Sequence, residues 1–257
     1  MTCTFIMEYC KVDEIKKQIR RALRPGRSIA RLGISFVKSA GKPKVFCIGR
    51  NKTGTTSIAK ALKELNFIVA EQRPAELLIH DWARRDFRRI IHFCHTAQAF
   101  QDVPFSLPYT FQALDMRFPG SKFILTVRDS PEQWYQSLIR FHAKLFGSGE
   151  TPSCDELKKA QYCYPGWAHE VFRAIYATPD AKLYDKMTLI NQYNTHNQSV
   201  IEYFRHRPND LLVLNVSQEG AYQRFCEFLN KPCLRQSFPW ENKAADIAAR
   251  RTAGRPK

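Results

Sequence analysis

The sequence predicts an α/β fold: a single domain built on a parallel β-sheet flanked by helices, with helical additions. Three observations carry this. Short apolar runs recur along the 257-residue chain at 45–48, 122–128 and 210–216, and runs this short and continuous suit strands buried on both faces. Between them apolar residues fall at helical spacing, as in Ile58, Ala61, Leu62 and Leu65. Strands and helices therefore alternate, the order from which parallel sheets are wound.

Residues 1–42 read as a basic helical extension. Ile15, Ile19 and Leu23 repeat at helical spacing among Lys16, Lys17, Arg20, Arg21 and Arg24, and Pro25-Gly26 ends the helix. Such a helix suits peripheral contact with an acidic membrane surface, or it caps the domain with a solvated basic face; the thin apolar stripe favours the cap. The α/β domain is expected over 43–243, and 244–257 is a basic tail expected to be flexible.

Within the domain, 45–48 is the first strand, followed by a glycine-containing loop and a helix reaching Leu65. The segment 67–71 (FIVAE) is expected to be a second strand, and 75–96 to be helical. A strand at 99–105 (AFQDVPF) ends at a proline-marked turn, a short helix covers 108–117, and 122–128 is the clearest strand. Ser130-Pro131-Glu132-Gln133 is a helix start, with a hydroxyl at the N-cap, proline at the first position and glutamine at the third. Trp134, Leu138, Phe141 and Leu145 then form an apolar stripe. Helices follow at 154–178 and 183–205 around a break near Pro179, then a strand at 210–216, a helix at 221–229 and a loop-like segment to Lys243.

Composition narrows the setting. A hydrophobic fraction of 44% can build a full core, and no window approaches the ~18 apolar residues of a membrane span. The first residues lack the basic leader of a signal peptide, so a cytoplasmic protein is expected. Eight scattered cysteines without a C-x-x-C pair suggest reduced thiols rather than disulfides or a zinc site. The net charge of +16 favours anionic ligands. No nucleic-acid-binding motif accompanies it, and a nucleic-acid partner is not expected. Oligomeric state is left open.

The stretch GRNKTGTTS, residues 49–57, carries the chemistry. A strand, a glycine turn and a helix make an anion cradle, because the helix N-terminus offers unpaired N–H groups and a positive dipole end. Arg50, Asn51, Lys52, Thr53, Gly54, Thr55, Thr56 and Ser57 are the candidate binding residues. Gly49 and Gly54 have the spacing of the P-loop of nucleotide-binding proteins, but that loop's lysine follows the second glycine. Here Thr55 follows it and the lysine, Lys52, lies upstream. A P-loop kinase or hydrolase would also need a Mg²⁺ site of its own; the displaced lysine argues against it. A non-catalytic protein that holds a phosphorylated ligand is the other alternative.

Lys52-Thr53-Gly54-Thr55-Thr56 resembles the K-[ST]-G-T-T core of the P-loop sulfotransferases that use 3′-phosphoadenosine 5′-phosphosulfate (PAPS), and in detail their bacterial-type branch. The resemblance implies that the loop holds the 5′-phosphosulfate end of PAPS, with Lys52 at the oxygen bridging phosphate and sulfate. It further implies that Arg128 and Ser137, in ILTVRDSPEQWYQS, grip the 3′-phosphate; their separation of nine residues is one longer than is usual in the family. Asp102, in Gln101-Asp102-Val103-Pro104, stands where relatives place a catalytic base, with His80 and His95 as alternatives. The product would be 3′,5′-adenosine bisphosphate (PAP), and no metal is required. His92 and His95 lie three residues apart without a clear third ligand, and no metal site is expected there. The acceptor would be a small molecule, a lipid or a glycan. Tyr162, Tyr164, Trp167, Phe172 and Tyr176 are candidates for its wall, and Asn242 or Lys243 for a contact from the tail.

Overall fold

The computed structural model describes residues 41–239. The expected basic helix of the extension, the 244–257 tail, Asn242 and Lys243 lie outside the described residues.

Four parallel strands form one sheet: β1 (Val45–Cys47), β2 (Ala99–Gln101), β3 (Lys122–Thr126) and β4 (Leu211–Leu214), in the order β2-β1-β3-β4. β1 pairs with both β2 and β3, bringing Val45 opposite Ala99 and Lys122. Side chains alternate across β1. Phe46 and Ile48 join one core with Phe100, Phe123, Trp134 and Leu138, while Val45 and Cys47 join the other with Ile58, Leu62 and Phe225. Both faces are thus covered, as a continuously apolar strand requires.

The helices are α1 (Thr55–Glu64), α2 (Gln72–Glu76), α3 (Ile79–Ala83), α4 (Arg88–Phe93), α5 (Thr110–Arg117), α6 (Pro131–Leu145), α7 (Cys154–Lys159), α8 (Trp167–Tyr176), α9 (Lys186–Phe204) and α10 (Ala221–Phe228). The chain leaves β1 toward β2 on one side, then returns past β1 to β3 on the other. The crevice between the carboxyl ends of β1 and β3 is therefore a topological switch point, where open α/β sheets bind ligands.

The expected elements are present, with four corrections. The strand at 67–71 shrinks to a single bridge, Val69 to Ala99, because the chain turns into α2 at Gln72. The helix at 75–96 is cut into α3, α4 and a 3-10 turn at Cys94–Thr96; Arg85, at φ 58°, breaks it after Ala83. The strand at 99–105 stops at Gln101, since Asp102 adopts φ 59°. The helix at 154–178 is divided by Pro165-Gly166 into α7 and α8.

Gly49 closes β1 against β3 without room for a side chain. A Cβ there would overlap Thr126 Oγ1 and the Thr126 backbone. Gly49→Ala is expected to force the two strand ends apart and destabilise the protein by about 1–3 kcal/mol, the usual cost of overpacking, read as a lower urea midpoint with unchanged m-value.

Candidate active site

The loop after β1 is held by its carbonyls. Three consecutive ones each accept a side-chain hydrogen bond: Arg50 O from Thr53 Oγ1 at 2.5 Å, Asn51 O from Trp134 Nε1 at 2.9 Å, and Lys52 O from Arg128 Nε at 2.7 Å. In a trans peptide each C=O is opposed to the N–H that follows it, so the amides of Asn51, Lys52 and Thr53 face away from those donors. Lys52 takes φ 68° and Gly54 φ 103°, which folds the loop onto the start of α1. No side chain caps α1 and no acidic residue stands in its first turn. Its positive end is left for an anion. Gly54 is needed twice over, since a Cβ would also strike Val216.

A second segment, after β3, meets this loop. Trp134 is fully buried and stacks on Tyr193 at 4.6 Å, which fixes its indole on the loop. Ser130 caps α6 by accepting from Gln133 N at 3.1 Å. Asp129 accepts from Gln133 Nε2 at 2.7 Å and from Asn215 Nδ2 at 2.6 Å, tying the ends of β3 and β4 to the start of α6.

These segments border one cavity of about 530 Å³. Asn51, Lys52, Gly54, Thr55, Thr56 and Ser57 line it from the loop. Arg128, Ser137 and Asp102 line it from the other segments. Two loop candidates lie elsewhere. Arg50 is buried beneath, its guanidinium 5.2 Å from the Tyr176 ring centre, and Thr53 is buried against Thr126 at 2.6 Å. The alternative histidines do not line the cavity. His80 bonds Tyr164 Oη at 2.6 Å beside a separate surface hollow, and His95 packs on Phe118 at 5.4 Å. Of the proposed aromatic wall, Tyr162, Trp167, Phe172 and Tyr176 line the cavity and Tyr164 does not.

The electrostatics are uneven. Burial lowers the Lys52 ammonium to about 8; Asp102 pulls upward and Arg128 adds to the fall. The ammonium sits over the Phe141 ring, 3.5 Å from its centre. Burial pushes the Asp102 carboxyl up, opposed by its hydrogen bond from Val103 N at 2.9 Å and by the charges of Lys52 and Arg50.

Sequence reasoning missed five polar residues in the lining, Glu76, Arg140, His142, Lys144 and Ser217. Burial raises Glu76 to about 7 against the opposing charge of Arg73, with which it pairs at 3.1 Å; its oxygens also accept from Tyr162 Oη at 3.1 Å and Cys163 Sγ at 3.4 Å. Burial, then the Lys52 charge, lowers His142 to about 3, a neutral ring bonded to Tyr184 Oη at 2.8 Å. Nothing local marks Glu76. His142 follows Phe141 on α6, whose helical period was a usable signal.

Fold and crevice together define a parallel α/β protein whose cavity lies at the switch point of its sheet, bordered by an uncapped helix N-terminus and by Lys52 and Arg128. The family profile described as "Sulfotransferase domain" matches residues 44–247, and the chain belongs to that family. A comparison with curated proteins finds no match.

Glu76 makes stability depend on pH. Its folded pKa lies above the ordinary value, so the buried carboxyl is tolerated at acid pH and its ionisation costs stability as pH rises from about 4.5 to about 7. Glu76→Gln is expected to remove that cost. Its urea-derived stability relative to the parent should improve between pH 5 and pH 8 by about 1–3 kcal/mol; a constant difference would contradict the assignment.

Proposed function

We propose that the protein transfers a sulfuryl group from PAPS to an acceptor hydroxyl by in-line displacement, releasing PAP. The observation that carries this reading is the Arg128–Lys52 hydrogen bond, which puts both phosphate motifs on one cavity. The residues fit the donor. An uncapped helix end and inverted loop amides suit the 5′-phosphate, and Arg128 with Ser137 suits a second, distant phosphate. The donor supplies the activated sulfuryl group, and the chain's residues do the rest.

Lys52 serves the oxygen on which charge builds as the sulfur–oxygen bond breaks; a preorganised donor of this kind contributes about 3–4 kcal/mol to lowering a barrier. Arg128 and Ser137 bind rather than react. Asp102 accepts the proton of the attacking hydroxyl: Lys52 and Arg50 favour its ionised form, while burial keeps it basic. His142, neutral, orders the wall beside Lys52 rather than competing for that proton. Lys52, Arg128, Arg140 and Lys144 bring four positive side chains to the cavity, so the reading calls for no metal. Six free thiols among the described residues suit a cytoplasmic setting.

Lys52→Ala is expected to lower turnover by at least about a hundredfold with the far-ultraviolet circular dichroism unchanged. A folded variant that retains activity would remove the assignment. Asp102→Asn should lower turnover by about 10²–10⁴-fold and leave PAP affinity by calorimetry within about twofold. The same calorimetry, run with PAP, ATP and GTP with and without Mg²⁺, separates the rivals: Mg²⁺-dependent triphosphate binding would favour a kinase, and PAP binding without turnover a non-catalytic protein.

A further inference from the structure

Resting on the sulfotransfer reading, we infer that the acceptor is a compact, largely apolar alcohol or phenol seated between α6 and α8, and not a glycan. The cavity changes character at Lys52 and Phe141. On one side are the loop, Arg128 and Ser137. Arg140 joins this side, since its charge bears on Arg128. On the other is a face of α8 that presents Trp167, Ala168, Val171, Phe172, Ile175 and Tyr176. Their spacing of one, four, five, eight and nine residues is a single helical stripe, and none of them carries a charge.

The polar groups on this side are mostly engaged within the protein. Tyr162 Oη donates to Glu76, His142 Nδ1 is bonded to Tyr184 Oη, and the Glu76 oxygens take Tyr162, Cys163 and Arg73. Trp167 Nε1 is buried without a partner. Asp102 and the half-buried Lys144 complete the polar set. A glycan entering here would leave most of its hydroxyls without partners, which an apolar site disfavours strongly. A phenol or simple alcohol offers one hydroxyl for Asp102, and apolar surface for the rest. Apolar lining with a few placed polar groups is how small-molecule sites are built.

The test is equilibrium binding, which needs no turnover. The full-length chain is titrated with 2-naphthol and with the neutral disaccharide chitobiose, in the presence and absence of PAP, by tryptophan fluorescence and calorimetry. Naphthol is expected to bind at least about tenfold more tightly than chitobiose. Val171→Trp, which fills the stripe, should weaken naphthol by at least about tenfold and leave PAP affinity within about twofold. Ile175→Asn, at a half-buried position that tolerates change more readily, should weaken naphthol in the same direction by a few-fold. Equal or tighter chitobiose binding, or naphthol affinity unchanged in both variants, would overturn the inference. Naphthol binding without PAP binding would sink the sulfotransfer reading and leave the pocket's chemistry standing; PAP binding without naphthol binding would do the reverse.

Discussion

The site depends on one constraint: three successive carbonyls of the loop after β1 are held by side-chain donors, two from the segment after β3 and one from the loop itself. Arg128 holds Lys52 O, Trp134 holds Asn51 O and Thr53 holds Arg50 O. A hydrogen bond from a charged donor contributes about 1.5–3 kcal/mol, more than a neutral one, so the Arg128 bond is the strongest of the set. A planar guanidinium can give Nε to the carbonyl and still have other N–H groups for a ligand. Lysine has spare N–H groups too, but they rotate and lack the fixed planar fork. The arrangement converts a left-handed, otherwise strained stretch at Lys52 and Gly54 into a fixed turn. Because the peptide unit is planar, anchoring the carbonyls aims the amides, and no separate device is needed to orient them.

The same packing explains why the electrostatics are poised rather than satisfied. Lys52 is enclosed by Phe141 and the loop, so its ammonium loses water without a full counter-charge. Its folded pKa is lowered. The cost to folding is therefore present below about pH 8 and relieved as pH rises toward the ordinary lysine value. A multiply charged anion restores what burial removed, so binding energy is concentrated where a negative charge would sit. Glu76 shows the opposite case: its carboxyl is driven toward the neutral form by burial, only partly countered by Arg73. Strained electrostatics of both signs in one cleft mark a functional cavity better than either group alone.

How much of this was legible depended on where each signal was stored. Lys52 and Gly54 sit in a contiguous segment whose local chemistry announces them, a glycine turn before a helix; Arg128, a charge at the end of an apolar strand, was singled out only through the family resemblance. The sheet was legible for the same reason, since 45–48 and 122–128 are unmistakably apolar. Glu76 was not, because only the packing of α2 to α4 into the core beside Phe46 and Phe100 brings its carboxyl to the cavity. The residues at 67–71 read as a strand from aromatic and β-branched content, yet just Val69 bridges to β2. Propensity favours an extended backbone there but cannot say that a neighbour will pair along its length. Trp134 was read as core and is core; its indole N–H also holds the loop, a role that composition cannot separate from packing.

Helix α6 shows how the core and the site are mechanically one object. It is 15 residues long, about 22 Å at the standard rise, whereas β3 has five residues. The helix therefore outruns the sheet. Its first half lays Trp134 and Leu138 into the core, both fully buried, and its second half carries Phe141, His142 and Leu145 over open space, where they become the cavity wall. One apolar stripe serves two purposes, because the surface beneath it changes from strand to cleft. Ser137 lies at the crossover, on the same rigid rod as the wall that follows it. A shift of this helix would move Ser137 and the wall formed by Phe141, His142 and Leu145 together. The distance between Ser137 and that wall is thus set by helix geometry and not by loops, the kind of support that holds side chains in register.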